Sequence, residues 1–238
     1  EDQTQIICGL WIISELRSAY FLLPRNLGHA RVFGAIKVPL ILSENEKILE
    51  DRNKLFRILG KQSNTMGEKV WLKRRLKDYG IKGEDIAELK LRMDIVPTSI
   101  AIAQAAKESG WGTSRFALEG NAMYGQWTWG GEGIEPSKKD KEKEHKILKF
   151  PKLQSSVAAY MKNLNTHRGY SEFRDKRSKI REKKQEVNGL DLVDYLYNYA
   201  QTGSEYVKTL KIIIQQNNLN DFDTSILMNS SRSRSLTL

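Results

Sequence analysis

Glu108 closes an alanine-rich apolar run, Ile100-Ala-Ile-Ala-Gln-Ala-Ala-Lys-Glu108, and is followed at once by Ser109, Gly110, Trp111 and Gly112. Glycosidic cleavage needs a proton at a pH where a free carboxyl has already lost it. Burial against apolar or aromatic surface supplies the upward shift. An acid at a helix end, beside an indole, where the chain turns through two glycines, meets that requirement. The same residue could instead be an ordinary helix-terminal glutamate held by solvent or by Arg115, since perturbed carboxylates mark sites only statistically. Ile100, Gln104 and Glu108 recur at four-residue spacing and therefore share one helix face, which makes Gln104 a candidate neighbour of the acid. Trp111, Tyr124, Trp127 and Trp129 could stack on sugar rings or serve as packing.

The elements around this segment follow from pattern. Pro97 suits the first position of the helix and Gly110 its C-terminal stop; a helix apolar nearly all round belongs in the middle of a domain. From Trp111 to Phe150 the helical period disappears, and Trp127–Trp129 and Lys146–Phe150 read as strands flanking a loop over 130–145, a small β-hairpin lobe. Upstream, Ser43 and Glu46 read as a capping box opening a helix striped by Ile48, Leu49, Leu55, Phe56 and Leu59. Lys61–Lys69 reads as a loop, with a helix from Val70 to Gly80 and a short one over Asp85–Leu91. Downstream, Val157, Tyr160, Met161 and Leu164 make one stripe and Tyr206, Val207, Leu210, Ile213 and Ile214 another. Arg174–Lys184 reads as a basic, exposed helix. The architecture expected is mainly α (α+β): a helical domain with a small β-hairpin lobe.

The central residues also carry a resemblance. Ala101, Gln104, Ala105 and Glu108-Ser-Gly-Trp-Gly-Thr-Ser-Arg-Phe116, then Gly120-Asn-Ala-Met-Tyr-Gly-Gln-Trp127, resemble the Bax-type branch of the bacterial glucosaminidase family, which includes the flagellar rod-cap peptidoglycan hydrolase and several autolysins. The likeness continues through Val157–His167, Tyr170–Arg174 and Tyr199–Tyr206, and upstream through Leu40, Glu44, Asn45 and Arg52. It implies a lysozyme-like fold and hydrolysis of the β-1,4 bond following N-acetylglucosamine in peptidoglycan. Glu108 falls at the general-acid position and Tyr199 at a cleft tyrosine. Asn121–Gly125 resembles a cleft turn, with Met123 and Tyr124 replacing Leu and Phe and Ala122 added. Gln201-Thr202-Gly203 replaces the end of the family's Tyr-Ala-Thr-Asp segment. Gln104, Asn121, Tyr124, Gln126 and the tryptophans Trp111, Trp127 and Trp129 are thereby expected to bind substrate. A second acid would come from the lobe, where Glu135 is nearest the family's spacing among Glu132, Glu135, Glu142 and Glu144; each could equally belong to a solvated charge run. Failing all of them, the substrate's N-acetyl group could act as nucleophile.

The division expected is a poorly defined segment over 1–38, a helical arm over 39–96, the lysozyme-like domain over 97–228 and a flexible tail over 229–238. The 238 residues carry a net charge of +10, which attracts a polyanion. Peptidoglycan glycan strands are the expected partner. Nucleic acid is disfavoured, because no helix-turn-helix, zinc-finger or RNP-type signature accompanies the charge. A single cysteine excludes a disulfide framework, and the three histidines lack ligand spacing, so neither metal nor cofactor is expected. The apolar run Ile6–Ile13 is too short to span a membrane. A monomer exported to the bacterial cell envelope is expected. A lytic transglycosylase and a non-catalytic wall-binding protein of the same fold are the alternatives.

Overall fold

A computed structural model describes residues 28–128, 133–135 and 146–227. The first element, α1 (Gly28–Leu59), runs unbroken across position 38 and contains Pro39. Ser43 therefore lies inside a helix and caps nothing. Burial explains the departure: Phe33, Val38, Ile41, Leu42, Ile48, Leu55 and Ile58 are all buried on the body of the protein, and this tertiary packing outweighs both the local capping signal and the hydrogen bond that a proline removes.

A true capping box lies one helix on. Thr65 Oγ1 accepts from the Glu68 amide and Glu68 Oε2 accepts from the Thr65 amide, so α2 (Met66–Asp78) begins inside the stretch expected to be a loop. Asp85 caps α3 (Ile86–Arg92) by accepting from Glu88 N. Leu55, Leu76, Leu89 and Met93 form a satellite core between α1, α2 and α3.

The central helix α4 (Thr98–Ser109) is buried at every position except Lys107 and Glu108. Pro97 is its N-cap rather than its first residue and offers no side-chain hydrogen bond. Asp223 supplies the missing acceptor from far along the chain: its carboxylate takes Ser99 N at 2.8 Å, Ser99 Oγ at 2.7 Å and Gly189 N at 2.7 Å. After α5 (Arg115–Gly120) comes a three-stranded antiparallel sheet of β1 (Trp127–Thr128), β2 (Gly133–Ile134) and β3 (Lys146–Leu148), in the order β1-β3-β2. Trp127 pairs with Ile147, as a hairpin requires, and Ile134 pairs with the same residue from the other side. The strand β2 went unread because two residues show no alternation.

Helices α6 (Leu153–Thr166), α7 (Ser171–Glu182) and α8 (Ser204–Gln216) complete the body, with 3-10 turns at Arg168–Tyr170, Val193–Tyr199 and Leu219–Phe222. The mainly α architecture with a small β lobe agrees with the sequence. The exposed character expected of α7 does not. Arg174 and Arg177 are 3% and 1% exposed. Arg177 donates to the carbonyls of Leu91, Asp94 and Ile95 and to Asn165 Oδ1; Arg52 of α1 donates to those of Lys90 and Met93. Asn45 brackets Val96 with two hydrogen bonds. The carbonyls of the last turn of α3 and of the irregular Met93–Val96 strip have no helix or sheet partner, and the side chains of α1, α6 and α7 satisfy them. Asp94, 2% exposed, is paired with Arg181 at 3.0 Å, Arg52 at 3.6 Å and Arg177 at 4.0 Å.

Candidate active site

The turn that ends α4 is built by Ser109. Its hydroxyl donates to Ala105 O and accepts from Gly112 N at 2.8 Å, while Trp111 N returns to Ala106 O at 2.9 Å. Gly110, Trp111 and Gly112 have consecutive positive φ values of 56°, 58° and 81°. A tryptophan there is strained. Packing compensates: its ring meets Phe33 of α1 edge-on at 5.7 Å, and a Cβ on Gly112 would lie 3.1 Å from the Phe33 ring. The turn is thus clamped against α1, and Glu108 sits just before it.

The Glu108 carboxyl is pushed above the ordinary carboxylate range by burial, opposed in part by a hydrogen bond from Tyr206 and by the nearby Lys107. Tyr206 Oη donates to Oε1 at 2.8 Å. Oε2 faces the bare Cα of Gly125, where a Cβ would stand 3.4 Å away. The indole of Trp111, expected beside the acid, meets the Phe33 ring edge-on.

Around the acid lies a cluster of tyrosines. Tyr206 and Tyr199 stack parallel at 5.5 Å, Tyr124 and Tyr160 at 3.8 Å, and Tyr170 leans on Tyr199 at 6.2 Å. Tyr199 Oη donates to the Tyr124 carbonyl at 2.9 Å. Burial, reinforced for Tyr160, Tyr199 and Tyr206 by neighbouring phenols or by Glu108, drives these hydroxyls far above their usual value. They are neutral donors throughout the physiological range.

Several expected site residues take other places. Gln104 is fully buried, its amide held between Tyr206 and Tyr160, so it supports the acid from within rather than reaching a ligand. Tyr124, 2% exposed and covered by Tyr160, has no face open to a sugar. Asn121 has the left-handed conformation that ends α5, and its amide is engaged by the Phe150 carbonyl at 2.9 Å. Gln126 is half-buried, with Oε1 shielded from solvent and without a hydrogen-bond partner among the described residues. Trp127 is half exposed at the start of β1. Glu135 is exposed just after β2, its carbonyl receiving Arg115 Nη2 at 2.6 Å. Trp129, Glu132, Glu142 and Glu144 lie outside the described residues. The structure thus brings Glu108, Gln104, Tyr199 and the Tyr124–Gln126 turn together. It adds Tyr206, Tyr160 and Gly125, which sequence reasoning had left as core or turn residues. Among the described residues no group of histidine, cysteine and carboxylate side chains could hold a metal ion, and no helix is long and apolar enough to cross a membrane.

Known proteins resemble this chain over the same region. The family described as mannosyl-glycoprotein endo-beta-N-acetylglucosaminidase matches residues 83–219, from just before α3 to the end of α8 and the turn beyond. Over 200 residues the chain is 32% identical to the protein named Bax of Escherichia coli (strain K12), an alignment covering 82% of this chain and 72% of that protein. No solved structure gives a significant match. The expected family is therefore found, and with it the lysozyme-like, mainly α fold: the chain belongs to the mannosyl-glycoprotein endo-beta-N-acetylglucosaminidase family and carries a bacterial glucosaminidase domain of the Bax type.

Proposed function

We propose that the protein is a peptidoglycan hydrolase of the cell envelope that cleaves the β-1,4 bond after N-acetylglucosamine, with Glu108 as general acid. The observation behind this reading is the environment of one carboxyl: Glu108 ends a buried helix, accepts from a neutral phenol and is shifted upward by burial, the direction a general acid needs. Family membership supplies the substrate class, a glycan. The half-exposed Trp127 offers an apolar face to a sugar ring, and the shielded Gln126 Oε1 offers an acceptor for a sugar amide or hydroxyl. The net charge of +10 favours an anionic wall over a neutral glycan.

The remaining step needs a group that activates water or stabilises the developing cation. Glu135 is the candidate carboxylate in the lobe. The hydrogen-bond partner of the Glu108 side chain among the described residues is a phenol, not a second carboxylate, which favours a second route in which the substrate's own N-acetyl group attacks. The same observation suits a lytic transglycosylase. Reducing-end analysis of digested sacculi separates the products: N-acetylglucosamine at the new end supports hydrolysis, an anhydro-muramyl end the transglycosylase.

The test of Glu108 is zymography on embedded peptidoglycan. Glu108→Gln keeps the shape and loses the transferable proton, so clearing should drop by at least roughly 100-fold, within the range of one general acid's contribution. Clearing equal to wild type would end the assignment. No clearing by either protein would favour a wall-binding role.

A further inference from the structure

We propose that Tyr206 is a positioning residue, the last member of a one-way hydrogen-bond relay Tyr160–Gln104–Tyr206–Glu108 that reserves Oε2 of Glu108 as the oxygen carrying the transferable proton. The inference rests on Glu108 being the acid. It goes further by assigning which oxygen acts and which buried residues decide it.

The relay is short and continuous. Tyr160 Oη donates to Gln104 Oε1 at 2.6 Å, Gln104 Nε2 donates to Tyr206 Oη at 2.9 Å, and Tyr206 donates to Glu108 Oε1 at 2.8 Å. Its direction follows from hydrogen counting. An ionised carboxylate only accepts, so Tyr206 must give it the single phenolic hydrogen. The Tyr206 oxygen is then left to accept, which turns the NH2 of Gln104 toward it. The amide oxygen is thereby turned toward Tyr160, which must donate. Each step leaves one choice for the next.

Protonating Glu108 on Oε2 leaves the whole pattern intact. Protonating it on Oε1 sets its hydrogen against that of Tyr206 unless the phenol turns its O–H away and gives up the donation. Gln104 and Tyr160 are both 0% exposed, in an interior where side chains interlock. The proton is accordingly kept on Oε2, beside Gly125, where the missing Cβ leaves room for a leaving oxygen. The charged and titratable groups around Glu108 are Lys107 on its own helix, Tyr206 on α8, and Tyr170 and Tyr199 on the flanking 3-10 turns. Of these, Tyr206 donates a hydrogen bond to its carboxylate.

The experiment is a carboxyl 13C NMR titration of the resting full chain, wild type against Tyr206→Phe, Gln104→Met and Tyr160→Phe, with pH–rate profiles on peptidoglycan. Loss of the Tyr206 hydrogen bond removes a group that favours the ionised form. The Glu108 titration should therefore move up by on the order of one pH unit in Tyr206→Phe, and in the same direction by less in the other two. The alkaline limb of kcat should move with it. Because none of these side chains is placed against substrate, kcat should fall roughly 10-fold with KM held. A folded Tyr206→Phe whose Glu108 titrates as in wild type overturns the proposal. Should that variant fail to fold, unchanged titrations in Gln104→Met and Tyr160→Phe overturn it equally. The titration needs no turnover, so failure of Glu108 as the acid, shown by an active Glu108→Gln, remains distinguishable from failure of the relay.

Discussion

A methyl group added at Gly125 would meet two obstacles. The residue has φ of 60°, and its Cβ would stand 3.4 Å from Glu108 Oε2. The backbone strain alone costs about 1–2 kcal/mol for a residue with a side chain, and the methyl fills the space on the side of the acid away from Tyr206. Gly125→Ala should therefore lower stability by about 1 kcal/mol in urea unfolding and cut turnover by much more than that loss of folded protein accounts for. Unchanged turnover in the folded variant would show that the leaving oxygen arrives from elsewhere. At this scale the candidate carboxyl was legible and the phenol that bonds it was not. Glu108 sits in a compact local motif. Tyr206, 98 positions away, reads in sequence as one more member of an apolar stripe, because nothing local distinguishes a phenol pointed at a carboxylate from one pointed into a core. Gln104 was placed on the correct face, but face does not reveal depth, and its amide is spent on two tyrosines.

Among the elements, α4 was read well because its limits are chemical: alanines favour helix, and the left-handed Gly110 ends it. What holds its head was invisible. Asp223 caps it across 124 positions and has its own carboxyl raised, burial outweighing the amides and hydroxyl that bond it. Asp223→Ala should cost about 2 kcal/mol, the sum of a lost cap and two buried amides left without partners. Urea denaturation measures it, and a loss below about 0.5 kcal/mol would mean water replaces the carboxylate. The basic helix α7 was misread for a related reason. A run of arginines is normally a solvated face, and the bare carbonyls that draw Arg177 inward lie at the end of a helix and in the Met93–Val96 strip, which has no sequence signal of its own.

For the molecule as a whole, Asp94 sets the acid limit. Burial pulls its carboxyl upward, and Arg177, Arg181 and Arg52 together pull it further down, so the net shift is below the ordinary value. The ionised native carboxylate thus contributes stability above the unfolded value of about 3.9, and that contribution is lost as pH falls through the depressed native one. Glu108 and Asp223 act in the opposite sense. Their raised native values mean that stability declines as pH climbs from the usual carboxylate range through them. Asp94→Asn should cost about 3–5 kcal/mol at neutral pH, since it strands buried guanidinium charge. In unfolding measured against pH, the gap between wild type and variant should narrow as pH falls below the unfolded carboxyl value of about 3.9; a constant gap would assign Asp94 a packing role instead.

The same central helix sets the size of the unit that evolution can move. Its tail turn is pressed by Phe33 and its head is bound by Asp223, while Glu46 ties the Leu227 amide back to α1 at 2.8 Å. The family match begins at 83 and ends at 219. A recombination event with breakpoints at those limits would transfer the acid, the relay and the lobe, yet leave both ends of the helix that bears them without support. The heritable module is therefore longer than the recognisable one, reaching from residue 33 to residue 227.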